Sequence, residues 1–121
     1  MLRYFDGWFY FFYLGGNSRE SYTTRLARSQ NLQTWEYSPA TVMQPDAADR
    51  CIAVDAVSRE KWQDKAADAV NINNSDLDMV EFDGNLELSY SWGNQHGIEF
   101  LARGVIRGIS EADFCRGFFE N

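Results

Sequence analysis

The chain has 121 residues, of which 45% are hydrophobic and 24% charged, with two prolines and two cysteines. These proportions exclude a disordered tail, a collagen-like repeat and a disulfide scaffold, and the length predicts about one domain with a real core. The formal net charge of −7 disfavours nucleic acid and anionic membrane surfaces as partners, because both would repel the molecule. No stretch approaches about 18 consecutive apolar residues, so no membrane-spanning helix is predicted.

The two cysteines, Cys51 and Cys115, lie far apart in the sequence and have no second cysteine or histidine nearby. That spacing excludes the usual zinc sites, and geometry alone decides whether the two form a disulfide. The aromatic run at 4–14 contains Asp6 and Gly7 and lacks a small-residue cleavage site. It therefore predicts a strand rather than a signal peptide, and nothing in the sequence as written indicates export.

An internal repeat organises the sequence. A Phe-Asp-Gly segment at 5–7, an aromatic strand and a Gly-Asn pair at 16–17 return 77 positions later, as Phe-Asp-Gly at 82–84, a strand and Gly-Asn at 93–94. An Asp-Gly pair between extended segments indicates a tight turn with positive φ. Each copy is therefore predicted to form a hairpin unit.

A second echo supports the repeat, because the Leu-Ala-Arg segment at 26–28 returns at 101–103, an offset of 75. The sequence thus predicts two blade-like units, at about 1–50 and 71–109, with a helical insert at about 58–70. Blades of this kind close into rings of about 4–8. Because two units do not close a ring, we interpret the chain as a C-terminal fragment of an all-β propeller.

The faces of the repeated strands differ between the two units. In the first unit both faces are aromatic: Trp8, Tyr10 and Phe12 on one, and Phe9, Phe11 and Tyr13 on the other. In the second unit an apolar face opposes a polar one: Leu86, Leu88, Tyr90 and Trp92 against Glu87, Ser89 and Ser91. The first strand is therefore expected to be covered on both sides, and the second to be half exposed.

Further strands are predicted at about 22–28, 36–43 and 97–106. An extended segment at 73–81 precedes the second Phe-Asp-Gly turn. The first unit is expected to have lost the equivalent opening strand.

One helix is predicted at about 59–70, with Ser58 as its cap, and a last short helix or turn at 110–117. The apolar stripe of the first helix is expected to pack against the sheets. It consists of Trp62, Ala66, Ala69 and Val70.

Several segments carry a resemblance to a known family: the strand at 6–13, the stretch at 26–36, and the segments at 74–78, 90–95 and 97–102. In them the sequence resembles the C-terminal blades of the five-bladed β-propeller glycoside hydrolases, the group that contains families 43, 32, 62 and 117. The stretch at 26–36 is similar to a blade motif in which Asn31 stands where aspartate is usual.

The resemblance implies hydrolysis of glycosidic bonds in polysaccharide-derived oligosaccharides, in an axial pocket lined by carboxylates from several blades. It implies a glycosidase that is incomplete and inactive as the isolated chain, with the missing N-terminal blades or self-association completing the fold. Family members often work in the periplasm or outside the cell. No cofactor is expected to be required, and a structural divalent cation such as calcium is the one candidate.

Asp76 and Asp78 are the candidate catalytic residues. Glycoside hydrolysis needs two carboxyl groups, about 5–5.5 Å apart for retention or about 6.5–9.5 Å for inversion, and residues two apart on a strand share a face at about 6.6–6.8 Å. Asn74 is expected on the same face, as a substrate-binding residue. The alternative is that the two carboxylates satisfy turn donors or bind an axial cation.

Five further residues are candidate substrate-binding groups. Trp92 has the character of an aromatic platform for a sugar, and polar side chains follow it in the chain: Gln95, His96 and Glu99. Glu20 lies in a loop that would rim the site. For His96, Glu99 and Glu20 the alternative is an ordinary surface or strand residue.

A second function class stays open beside the enzyme. The chain is short, and a non-catalytic carbohydrate-binding or structural propeller segment fits the same repeat. No phosphate-binding loop, nucleophile elbow or Cys/His pair is present, so nucleotide-binding and serine- or cysteine-hydrolase functions have no support.

Overall fold

The computed structural model describes residues 1–17, 21–49, 55–68, 70–95 and 97–120. In these residues the chain is mostly β, as predicted, with a short 3₁₀ helix at Ala47–Asp49 and two α-helices, α1 (Ala56–Asp68) and α2 (Glu111–Gly117). The strands are β1 (Leu2–Phe5), β2 (Trp8–Asn17), β3 (Ser21–Ser29), β4 (Glu36–Tyr37), β5 (Asn73–Phe82), β6 (Asn85–Gly93) and β7 (Glu99–Arg107).

The seven strands form one sheet in the order β1-β2-β3-β5-β6-β7, with β4 also paired to β3. Every pairing is antiparallel except that of β3 with β5, which is parallel and covers only Tyr22 with Asn73 and Thr23 with Asn74. This short contact joins the two hairpin units. The predicted division into two blade-like units, at about 1–50 and 71–109, stays a prediction.

The two Phe-Asp-Gly turns have the same geometry. φ is 50° at Asp6 and 85° at Gly7, and 51° at Asp83 and 74° at Gly84, the positive pair that a two-residue hairpin turn requires. The prediction of two tight turns is confirmed. The expected loss of the first opening strand is wrong, because β1 occupies that place as a short strand paired with β2.

The repeat has an offset of 77 throughout both hairpins. Phe12 pairs with Leu26, and Ser89 pairs with Arg103, so the structural counterpart of Leu26 is Arg103. The two Leu-Ala-Arg segments, 75 positions apart, are therefore not structurally equivalent. Burial agrees, since Leu26 is buried whereas Leu101 is 80% exposed.

Each unit has a front face and a back face, defined by equivalent positions. The front face carries Trp8, Tyr10, Phe12 and Leu26 in the first unit, and Asn85, Glu87, Ser89 and Arg103 in the second. The back face carries Leu2, Phe9, Phe11 and Tyr13 in the first unit, and Met79, Leu86, Leu88 and Tyr90 in the second.

The main core lies between the front face of the first unit and the back face of the second. Tyr10, Phe12 and Leu26 form one buried cluster with Leu86 and Leu88, and each such side chain contributes about 1.5–3 kcal/mol by leaving water. The units thus pack head to tail, with unlike faces in contact. Only one face of the first strand is covered, although both were expected to be.

Helix α1 confirms the predicted helix but not its cap. Asp55 lies just before the helix, and its carboxylate accepts hydrogen bonds from the backbone N–H of Ser58 (2.9 Å) and from the Ser58 hydroxyl (2.7 Å). Asp55 is therefore the N-cap, and Ser58 is the third helical residue.

The apolar stripe of α1 is confirmed at one position. Trp62 packs against a second buried cluster that contains Trp92 and Ile98. Val70 is exposed beyond the end of the helix, and the side chains of Ala66 and Ala69 lie outside the described part of the chain. No helix among the described residues is both long and apolar enough to cross a bilayer.

Helix α2 closes one end of the main core. Ser110 caps it by accepting from the backbone N–H of Asp113, and Cys115 is buried as a free thiol. Burial, and then the charge of Glu111, raise the pKa of Cys115 to about 12 from 9.0. Cys51 lies outside the described residues.

We expect this thiol to make the protein sensitive to alkali. A raised pKa favours the neutral thiol in the folded state, so the contribution of this thiol to the free energy of unfolding is fully present below about pH 9 and falls by about 1.4 kcal/mol per pH unit from there to about pH 12. Urea unfolding between about pH 8.5 and 10.5 should show a steeper loss for the wild type than for Cys115→Ala. Equal slopes would contradict the buried thiol.

Candidate functional site

A buried polar cluster lies where β3 meets β5, at the end of β6 and the beginning of β7. The backbone there continues from Asn71 into the first half of β5, a stretch rich in amides and hydroxyls. Its members are almost fully buried: Asn71, Asn73, Asn74 and Ser75, with Thr23 and Thr24 beside them. Buried polar groups destabilise a fold unless they are hydrogen-bonded, so the arrangement of these bonds shows what the cluster does.

Asn71 lies at the centre of the cluster. Its Oδ1 accepts from the backbone N–H groups of Asn73 and Gly93, each at 3.0 Å. Its Nδ2 donates to Oδ1 of Asn74 at 2.8 Å. One amide therefore fixes the start of β5 against the end of β6.

Asn74 connects the cluster to the segment before α1. Its Nδ2 donates to the carbonyl of Gln44 at 3.1 Å and to the carboxylate of Asp49. The indole N–H of Trp92 donates to the carbonyl of Asp49 at 2.6 Å. The Asp49 charge also reaches Tyr90, whose phenol has a pKa raised first by burial and then by this carboxylate.

Asn73 connects the cluster to the loop between β6 and β7. Its Nδ2 donates to Oε2 of Glu99 at 3.1 Å, and the other oxygen of Glu99 accepts from the backbone N–H of Gln95 at 3.0 Å. Oδ1 of Asn73 accepts from the hydroxyl of Ser75. Both carboxylate oxygens of Glu99 therefore accept hydrogen bonds at the edge of the cluster, unlike those of an ordinary exposed strand residue.

Asp76 lies at an irregularity in β5. The register with β6 shifts between Ser75 and Asp78, and Asp76 has a φ of 53°, as expected for a bulge. Oδ2 of Asp76 accepts from the hydroxyls of Ser91 (3.1 Å) and Ser75 (3.2 Å). Ser75 has one proton and donates to either Asp76 or Asn73, so the two acceptors share it.

Asp78 follows two residues later on β5 and has a different, charged partner. Its side chain is 69% exposed and pairs with Nη2 of Arg3 at 2.9 Å, and it borders a hollow of about 330 Å³. Asp76 borders a separate recess of about 70 Å³. Asn74 is buried and so does not share the exposed side of β5 with Asp76 and Asp78, whereas Leu77 and Met79 are buried as predicted. The bulge interrupts the regular strand on which the predicted spacing of about 6.6–6.8 Å depended, so the common face of Asp76 and Asp78 stays a prediction.

The structure changes what was expected of Trp92 and shows one contact of Gln95. Trp92 is only 2% exposed and packs on Phe100, with ring centroids 5.9 Å apart, so no open ring face is left for a sugar. Gln95 contributes its backbone N–H to Glu99. His96 and Glu20 lie outside the described residues.

Several members of the cluster were missed by the sequence analysis. They are Asp49, Asn71, Asn73, Ser75 and Ser91. The dense amide and hydroxyl run at 71–75 was the available signal, because so many polar side chains at the start of a strand need partners. The contribution of Asp49 had no signal, since it comes from a distant segment.

The cluster brings the carboxylates of Asp49, Asp76 and Glu99 to one network of amides and hydroxyls. In the described part of the chain, no three acidic, histidine or cysteine side chains are close enough together to hold a metal ion. No known protein family, characterised protein or solved structure matches the chain.

Proposed function

We propose that the chain is part of a glycoside hydrolase that acts on polysaccharide-derived oligosaccharides, with its polar site at the start of β5. The network that runs from Glu99 through Asn73 and Ser75 to Asp76 carries this proposal. It presents two carboxylates on a rigid frame of amides, and carboxylates are the groups that glycoside hydrolysis requires.

The packing of the two units supports a partial five-bladed propeller as the architecture. The front face of the first unit packs on the back face of the second, and repeating this arrangement would add a third unit to the same series. Propellers are built by this kind of radial repetition. The remaining blades would come from outside the residues described.

Of the two predicted catalytic residues, Asp76 and Asp78, Asp76 is the better candidate. Its Oδ2 accepts from the hydroxyl of Ser91 and shares the hydroxyl of Ser75 with Asn73, so hydrogen bonds fix the position of this carboxylate. The charge of Asp78 is already balanced by Arg3. In this mechanism Asp76 acts as base or nucleophile, and the general acid comes from another blade.

A non-catalytic carbohydrate-binding segment is the second candidate. Its support is the separation of Asp76 and Asp78, which border different cavities. In that case the amide cluster orients hydroxyl groups of a sugar without cleaving it.

Oligosaccharide binding by the chain should separate the roles of the two aspartates. We expect calorimetry against a panel of neutral oligosaccharides to show binding that Asp76→Asn weakens about tenfold, the loss of one charge-assisted hydrogen bond. Asp78→Asn and the turn variant Asp83→Asn serve as matched controls and should leave the oligosaccharide affinity unchanged.

Hydrolysis decides between the two candidates. In a polypeptide that supplies the other blades, reducing-sugar release should fall with Asp76→Asn and persist with Asp83→Asn. Binding without release would favour the non-catalytic segment. If no oligosaccharide binds and release is unaffected by Asp76→Asn, the proposed site is wrong.

A further inference from the structure

The back face of the first unit is an uncovered aromatic surface. Phe11 is 42% exposed, although its counterpart Leu88 is only 7% exposed in the core. Leu2 is likewise exposed where Met79 is buried. The same positions therefore form a packing interface in one unit and an open surface in the other.

Ring contacts organise this surface before any partner binds. Phe11 stacks on Tyr13 at 6.0 Å between centroids and contacts Trp35 at 5.8 Å. Tyr37 meets the edge of Tyr13 at 6.2 Å, and Tyr4 contacts a neighbouring ring on the same face. A contiguous apolar patch of this kind indicates an interaction surface.

The packing inside the molecule indicates which kind of surface can cover the back face of the first unit. A back face here is covered by a front face, as in the main core. The front face that stays open is that of the second unit, whose hollow of about 330 Å³ is lined by Val80, Glu87, Ser89 and Leu101 among others. Leu101, 80% exposed, stands beside this hollow.

The chemistry of the two surfaces is complementary. The front face of the second unit has Glu87 and Ser89 where the first unit has Tyr10 and Phe12. It is therefore hollow rather than filled by rings, and its rim carries Ser89 and the ion pair between Glu87 and Arg103. Aromatic side chains with phenol donors, as on the back face of the first unit, fit such a hollow.

We infer that the back face of the first unit binds the front face of the second unit in another copy of the chain. The contact continues the head-to-tail step that already joins the two units. It is heterologous, so each copy keeps one face free and the assembly grows, into a ring where the rotation between copies closes and into an open filament where it does not. This inference concerns association and does not depend on the proposed function.

The mass in solution tests the contact, with one variant for each face. Phe11→Ser alters the back face and Leu101→Ser the front face, whereas Val57→Ser replaces an exposed residue on α1 as the matched control. Light scattering should show wild type and Val57→Ser above the mass of one chain, with about tenfold or greater weakening in each face variant. Tyr37→Ser provides a second back-face variant if Phe11→Ser fails to fold.

Mixing the two face variants gives the decisive measurement. Phe11→Ser keeps an intact front face and Leu101→Ser an intact back face, so an equimolar mixture should form a capped pair of twice the chain mass. Association that Leu101→Ser leaves intact would mean that two back faces pair, and would overturn the inference. A wild type that stays monomeric at high concentration would overturn it as well.

Discussion

Replacement of Trp92 by alanine is expected to destabilise the protein by about 3–5 kcal/mol, the range for a large buried aromatic side chain. The side chain is almost fully buried against Phe100, Ile98 and Trp62. Alanine would leave a cavity among these side chains. Urea unfolding followed by circular dichroism measures the loss.

A second substitution at the same site separates packing from hydrogen bonding. Trp92→Phe keeps most of the ring but removes the indole N–H that donates to the carbonyl of Asp49, and should cost about 1–3 kcal/mol. The half-buried Trp35 is the control, and Trp35→Phe should change stability little. If both Trp92 variants were as stable as the wild type, Trp92 would be an exposed platform after all.

Replacement of Gly16 by alanine should destabilise the protein clearly more than replacement of Gly7. Both glycines have a φ of 85°, so alanine meets the same backbone strain of about 1 kcal/mol at each. A Cβ at Gly7 has no neighbour within 4 Å, whereas one at Gly16 overlaps the carbonyl oxygen of Ser21. Because the backbone must move to relieve this overlap, we expect Gly16→Ala to lower the free energy of unfolding by about 1–3 kcal/mol more, the cost of overpacking.

The second unit offers an internal repetition of this experiment. Gly93 is the counterpart of Gly16, and a Cβ there overlaps the carbonyl oxygen of Ile98. Gly93→Ala should therefore match Gly16→Ala, and the pair should exceed Gly7→Ala in thermal and urea unfolding. Equal losses at Gly7 and Gly16 would show that strain, and not close approach, explains the glycines.

The repeated close approach explains why the two hairpins keep the same register. Each unit has a tight Asp-Gly turn at one end and a glycine pressed against the opposite strand at the other. With both ends fixed, the strands between them have one alignment. The amide cluster beside Gly93 depends on that alignment, since the backbone N–H of Gly93 donates to Asn71.

The sequence alone determined the features that depend on neighbouring residues. The Asp-Gly turns require positive φ at two adjacent positions, and the alternation from Leu86 to Trp92 requires one buried face. Both were predicted, together with the 77-residue repeat and the helix before β5. Short-range stereochemistry and alternation are visible in the order of residues.

Only the tertiary structure decided where the polar residues of β5 point. A bulge at Asp76 adds one residue to the strand, and no local signal marks it because it depends on the pairing with β6. The burial of Trp92 and the bond from Asn74 to Asp49 depend on segments far apart in the chain. Contacts between distant segments are formed by packing, which the order of residues in any one segment does not specify.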